Sequence, residues 1–151
     1  GRRRQRQMCI RDRIKRGWSH KEKAMSKKEV VCEKAPSAIG TYSQAVIAGN
    51  FIFVSGQIPL DYKDMTVVQG SFEEQVEVIM QSLSNIADSS GASINDCVKL
   101  TVYLKNLENF SSVNNVMEKY LSKPYPSRAA VEVSRLPKDV EVEIDAVIFK
   151  E

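Results

Sequence analysis

A chain of 151 residues, 42% apolar and 27% charged, has the size and make-up of one globular domain with an ordinary core. It contains no apolar run near the roughly 20 residues of a membrane helix. Its three cysteines, Cys9, Cys32 and Cys97, have neither CxxC nor paired spacing, which argues for reduced thiols over a disulfide frame or a zinc site.

The net charge of +3 is unevenly spread. Residues 1–24 hold ten Lys and Arg against two acids, so the remainder carries 3 − 8 = −5. The same segment holds the only His (His20) and the only Trp (Trp18), and it lacks a regular apolar face. It could be a basic arm for nucleic acid or a membrane surface, or an Arg-rich transit peptide. A third reading is favoured. Met8-Cys9-Ile10-Arg11-Asp12-Arg13 resembles the translation of a sequencing-library adapter, and Met25-Ser26-Lys27-Lys28 resembles a native start. The expectation is a disordered, non-native leader over 1–24 and one domain over 25–151.

Residues 28–34 suit a short first strand, and Ala35-Pro36-Ser37 suits a loop, because a residue before proline avoids the helical region. Tyr42 to Ala48 and Phe51 to Gly56 read as strands joined at Gly49-Asn50, a two-residue hairpin turn. Ser71, with Glu74 three residues on, predicts a capping box. After it, Phe72, Val76, Ile79, Met80, Leu83 and Ile86 recur at helical spacing, and Gly91 is a natural stop. Asp96 to Lys105 reads as a strand with Val98, Leu100, Val102 and Leu104 inward. A second helix is expected from Asn109 to Leu121, its buried face being Phe110, Val113, Val116, Met117 and Tyr120. Pro124 and Pro126 follow it.

The last stretch alternates in polarity over 129–134 and 140–148, two strands broken by Leu136-Pro137-Lys138-Asp139. Val140, Val142, Ile144, Ala146 and Ile148 share one face of the final strand; Glu141, Glu143 and Asp145 share the other. A turn centred on Pro137 and Lys138 would set Glu143 opposite Glu132. Two carboxylates that close would raise one pKa or hold a cation between them. Arg128, at the strand entrance, offers a planar fork that matches a small carboxylate. The plain alternative is a solvated strand face with scattered charges. Two one-sided helices need a sheet to cover, which gives an α+β two-layer sandwich with both helices on one face. The other sheet face would then be exposed in a single chain, so association through it is expected.

Several chemistries are set aside by what residues 25–151 lack. Without a histidine there, Ser-His-Asp and Cys-His triads are ruled out as usually built. No cluster has metal-ligand spacing, and there is no GxxxxGK[ST] or GxGxxG phosphate loop. Cys32 and Cys97 fall within expected strands, which suits buried, inert thiols.

Pro126-Ser127-Arg128-Ala129-Ala130-Val131-Glu132-Val133, then Leu136-Pro137, then Val142-Glu143-Ile144-Asp145-Ala146 together resemble the C-terminal signature of the RidA (YjgF) family of imine/enamine deaminases. Three upstream blocks resemble the same family in the same order: Ala35 to Ala45, Phe53 to Pro59 and Thr101 to Leu107. The resemblance implies a chorismate-mutase-like sandwich with a mixed sheet, a homotrimer with sites in the clefts between subunits, and a metal-free, cofactor-free hydrolase in the cytoplasm, with an organelle as the alternative. Its substrates would be 2-aminoacrylate and related 2-imino acids, released as 2-keto acids and ammonia. Arg128 would grip the substrate carboxylate. Glu143 would activate water or hold a proton for ammonia. Tyr42 would wall the pocket, and backbone groups near Ser55, Gly56 and Ala130 would touch the substrate. Many family members carry a cysteine where this chain has Ala130, so water is left as the nucleophile. The rival roles are an RNA-acting (ribonuclease or translation-inhibiting) protein and a chaperone-like one. The acidic balance of 25–151 speaks against the first.

Overall fold

The computed structural model describes residues 26–151, so the leader expected over 1–24 lies outside the described residues. Six strands and two α-helices follow in chain order: β1 (Lys28–Val30), β2 (Ala45–Ala48), β3 (Phe51–Gln57), α1 (Phe72–Ser89), β4 (Cys97–Leu104), α2 (Phe110–Tyr120), β5 (Ser127–Glu132) and β6 (Val142–Phe149).

The local signals act as expected. At α1, the Ser71 hydroxyl accepts from the Glu74 amide at 3.1 Å while the Glu74 carboxylate accepts from the Ser71 amide at 3.0 Å. This satisfies two amides that a helix start otherwise leaves bare. Gly91, past the other end, takes φ of 77°, a conformation that glycine adopts without strain. Gly49, at φ 60°, opens the β2–β3 turn, and Ala48 pairs with Phe51 across it. The strands β1 and β2 are shorter than the sequence suggests.

The sheet runs β1-β2-β3-β6-β4-β5 and is mixed: β4 and β5 are parallel, and the other pairings are antiparallel. Both helices cover one face. Val76, Ile79, Met80, Leu83 and Ile86 of α1, with Val113 and Val116 of α2, pack on Ile52, Leu100, Val102, Ile144 and Ile148. Each of these large side chains contributes roughly 1.5–3 kcal/mol by leaving water. The opposite face is open. There Phe51 stands 6.3 Å from Phe53 and 5.4 Å from Phe149, centroid to centroid, and Phe53 is 49% exposed.

Two expectations are corrected. The first is the pairing of Glu132 with Glu143. The Pro137–Asp139 segment is a single 3-10 turn in which Lys138 and Asp139 both have φ of 55°, and it does not close a hairpin. Instead β4 lies between β5 and β6, pairing Tyr103 with Glu143 on one side and Leu104 with Glu132 on the other. The Glu132 carboxylate accepts from the Leu107 amide at 3.1 Å. The second is Val98, which is exposed. The register of β4 against β6 shifts between Cys97 and Lys99, so Cys97 takes the inward place. An added residue in one strand reverses the alternation locally.

Candidate active site

The segment ahead of β2, the end of β3 with the loop after it, β6 and the turn before β6 build one cavity of about 600 Å³. Tyr42, Ser55, Gly56, Lys138 and Glu143 line it. Four of the six residues nominated from sequence therefore meet there. Arg128 and Ala130 do not.

The chain ahead of β2 is fixed by Gln44, which is buried. Its side-chain carbonyl accepts from the Cys32 amide at 2.7 Å, and its amide donates to the carbonyls of Cys32 and Pro36 at 3.0 and 2.8 Å. One side chain thus ties the loop after β1 to the segment that carries Tyr42. The Ser55 hydroxyl donates to the Ser43 carbonyl at 2.5 Å, and the Ser55 amide to the Gln44 carbonyl at 3.0 Å. Tyr42 itself is exposed at the cavity wall.

Glu143 reaches this cavity because β3 bulges. Val54 pairs with Ala146 and Gln57 with Ile144, so Ser55 and Gly56 together face one residue, Asp145. The Glu143 carboxylate lies where a Cβ on Gly56 would stand, with its carboxyl carbon 3.0 Å from that point. Burial first, and the negative charge of Asp145 second, push the Glu143 carboxyl above the ordinary glutamate range. Gly56→Ala is therefore expected to leave the fold intact, since only the end of a flexible side chain must move. It would displace the carboxylate, and a catalytic group misplaced by about 1 Å loses about a hundredfold in rate. Steady-state kinetics beside a melting curve check this.

Arg128 belongs to the other face. Its strand partner Leu100 is fully buried under the helices, and Ala130 beside it packs on the core. The guanidinium lies 4.6 Å above the Phe110 ring, donates to the Asn114 side-chain carbonyl at 2.5 Å and touches the Met117 sulfur at 3.7 Å. A ring face and one fixed acceptor hold the fork in plane while its remaining N–H groups stay free. It borders a second cavity of about 330 Å³ with Asn114, Met117, Glu118 and Tyr125. In one chain, then, Arg128 and Glu143 lie on opposite faces with β4 between their strands.

The sequence does not nominate Asn114 or Gln44. Phe110 packs against the core as expected and also carries the guanidinium; Asn114 lies four residues on, a polar residue on a stripe otherwise apolar, which is the available signal. Gln44 gave no such signal, because its partners are backbone groups. Cys97 is buried, which pushes its thiol up to about 11 and leaves it inert, and Cys32 is buried too. Among the described residues, no group of three or more His, Cys, Asp or Glu could hold a metal, and no helix is long and apolar enough to cross a membrane.

Residues 32–149 match the family model described as Ribonuc_L-PSP, endoribonuclease L-PSP. A RutC family protein of Pyrococcus abyssi is 49% identical over 127 residues, 84% of this chain and 100% of that one. The chain belongs to the RidA (YjgF, L-PSP) family. Another member, from Dermatophagoides farinae, is named 2-iminobutanoate/2-iminopropanoate deaminase; it is 34% identical over 128 residues, 84% of this chain and 100% of its own. The crystal structure of RidA from Psychrobacter sp. PAMC 21119 superposes with a TM-score of 0.78 at 42% identity, covering 81% of this chain and 98% of that one. The mixed six-stranded sheet with two helices is the RidA fold.

Proposed function

We propose that this RidA-family chain hydrolyses 2-imino acids, including those formed from 2-aminoacrylate, to 2-keto acids and ammonia. The site would be a groove shared by neighbouring copies in a homotrimer, in the cytoplasm or an organelle. One observation carries the reading. A guanidinium with free, oriented donors and a carboxyl with raised proton affinity stand on opposite faces of one sheet. Association that sets the β5 edge of one copy, with its Arg128, against the open, Phe51- and Phe53-bearing face of the next is the arrangement that would let both reach one small molecule.

In that groove Arg128 pairs bidentately with the substrate carboxylate. The Glu143 carboxyl gives its proton to the imine nitrogen as a water oxygen bonds to the imine carbon, and the resulting carboxylate takes the proton released by that water. Glu143 then returns that proton to the amine nitrogen, the C–N bond breaks as ammonia leaves, and the Glu143 carboxylate takes the proton of the adduct's hydroxyl as the keto group forms, which restores the acid. Tyr42 closes the wall, and the backbone at Ser55, Gly56 and Ala130 contacts the substrate. Positioning and one proton shuttle suffice, because the imine is already reactive toward water. The name of the Dermatophagoides relative supports the same chemistry.

The family description favours a second reading, action on RNA. The described domain is acidic overall, and its open-face aromatics are not interleaved with a basic stripe. A chaperone-like role would use the exposed apolar face and survive the loss of Arg128. The deciding assay couples an amino-acid oxidase, which supplies imino acids, to semicarbazide, which traps them. Addition of the chain is expected to suppress semicarbazone formation. Undiminished trapping at every chain concentration would refute the deaminase reading.

A further inference from the structure

A second carboxylate does stand beside Glu143, though on its own strand and not across a hairpin. Asp145 lies two residues along β6, on the same open face. It is fixed there: the Tyr103 hydroxyl donates to its Oδ2 at 2.9 Å, and Tyr103 is in turn the cross-strand partner of Glu143. The phenol thus holds Asp145 beside the strand position of Glu143. The hydrogen bond to Asp145 also holds the Tyr103 phenol above its ordinary range, so this hydroxyl stays a donor.

The surroundings leave Asp145 as the main charge acting on Glu143. The titratable groups facing that carboxyl are Asp145 on β6, Tyr103 on β4, Tyr42 ahead of β2 and Lys138 in the turn before β6. From β3 come only Ser55 and Gly56, which carry no charge. The one cation among these, the Lys138 ammonium, donates to the Met65 carbonyl at 3.3 Å.

We infer that Asp145, two residues along β6 on the same open face, is a positioning residue whose negative charge favours the proton-bearing form of Glu143. The inference rests on the proposed reading of Glu143 as the proton-handling group. Asp145 touches no reacting atom; it acts through Glu143 by like-charge repulsion across the open face.

The test reads Glu143 directly. The full chain, with its glutamate carboxyl carbons labelled, is titrated by NMR as the parent, as Asp145→Asn and as Tyr103→Phe. Asp145→Asn is expected to move the Glu143 midpoint to lower pH. Tyr103→Phe is expected to leave it or raise it, since Asp145 then shares its charge with no donor. The alkaline limb of kcat/KM for imine hydrolysis should move with the midpoint. An unmoved midpoint in Asp145→Asn overturns the proposal. An equal fall in both variants also overturns it, because lost packing would then be the cause. The titration needs no turnover, so a fall confined to Asp145→Asn in a chain that hydrolyses no imine supports the coupling and removes only the deaminase reading.

Discussion

Arg128→Ala is expected to lower kcat/KM for imino-acid hydrolysis by about 3 kcal/mol, roughly a hundredfold, the usual cost of removing one partner of a charge-assisted pair. The effect should fall on substrate capture, because the guanidinium would meet the carboxylate in ground and transition states alike. The fold should tolerate the change. Arg128 is exposed, and its bond to Asn114 can pass to water. The stacking on Phe110 is worth about 0.5–1 kcal/mol. Arg128→Lys keeps the charge but loses the fork and the stacking, so it should recover only part of the rate. Kinetics of the three proteins, with melting curves, check this. Unchanged kinetics in the alanine variant would remove the carboxylate grip from the mechanism.

Glu143→Gln is expected to separate activity from stability. The glutamine cannot shuttle a proton, and loss of one general acid–base group costs about 10²–10⁴ in rate. Stability should move the other way. The folded-state pKa lies above the ordinary value of 4.5, so the folded chain holds the proton more tightly than the unfolded one. The stability this contributes is full below about 4.5 and is lost as pH rises through the folded value, where the charge must form in a half-buried site beside Asp145. Above that value the glutamine variant should melt higher than its parent, and the gap should close in acid. A glutamine variant that melts lower at neutral pH would mean that Glu143 is a structural partner and no strained acid.

Much of this was legible in the residues because it depends on local chemistry. Ser71 with Glu74, Gly49-Asn50 and the stripe Val76–Ile79–Met80–Leu83 state their conformation within a few positions. The alternation in β6 likewise named the face of Glu143 before any partner was known. What stayed hidden was non-local. Whether β6 pairs with β5 or with β4 depends on a crossover that period-two alternation does not encode, and so Glu132 was given the place that Asp145 and Tyr103 fill. The bulge at Ser55-Gly56, which lets Glu143 enter the cavity, exists only in the register between two strands distant in sequence. Asn114 is a case between these: its helical face was readable, but its role waits on an arginine 14 residues away.

The sheet keeps Arg128 and Glu143 back to back, as a wall separates two rooms. A solitary chain, however well folded, would own a lock and a latch that never close on the same visitor. Turnover per chain would then track how crowded the solution is with its own kind, and dilution would silence the protein without unfolding it.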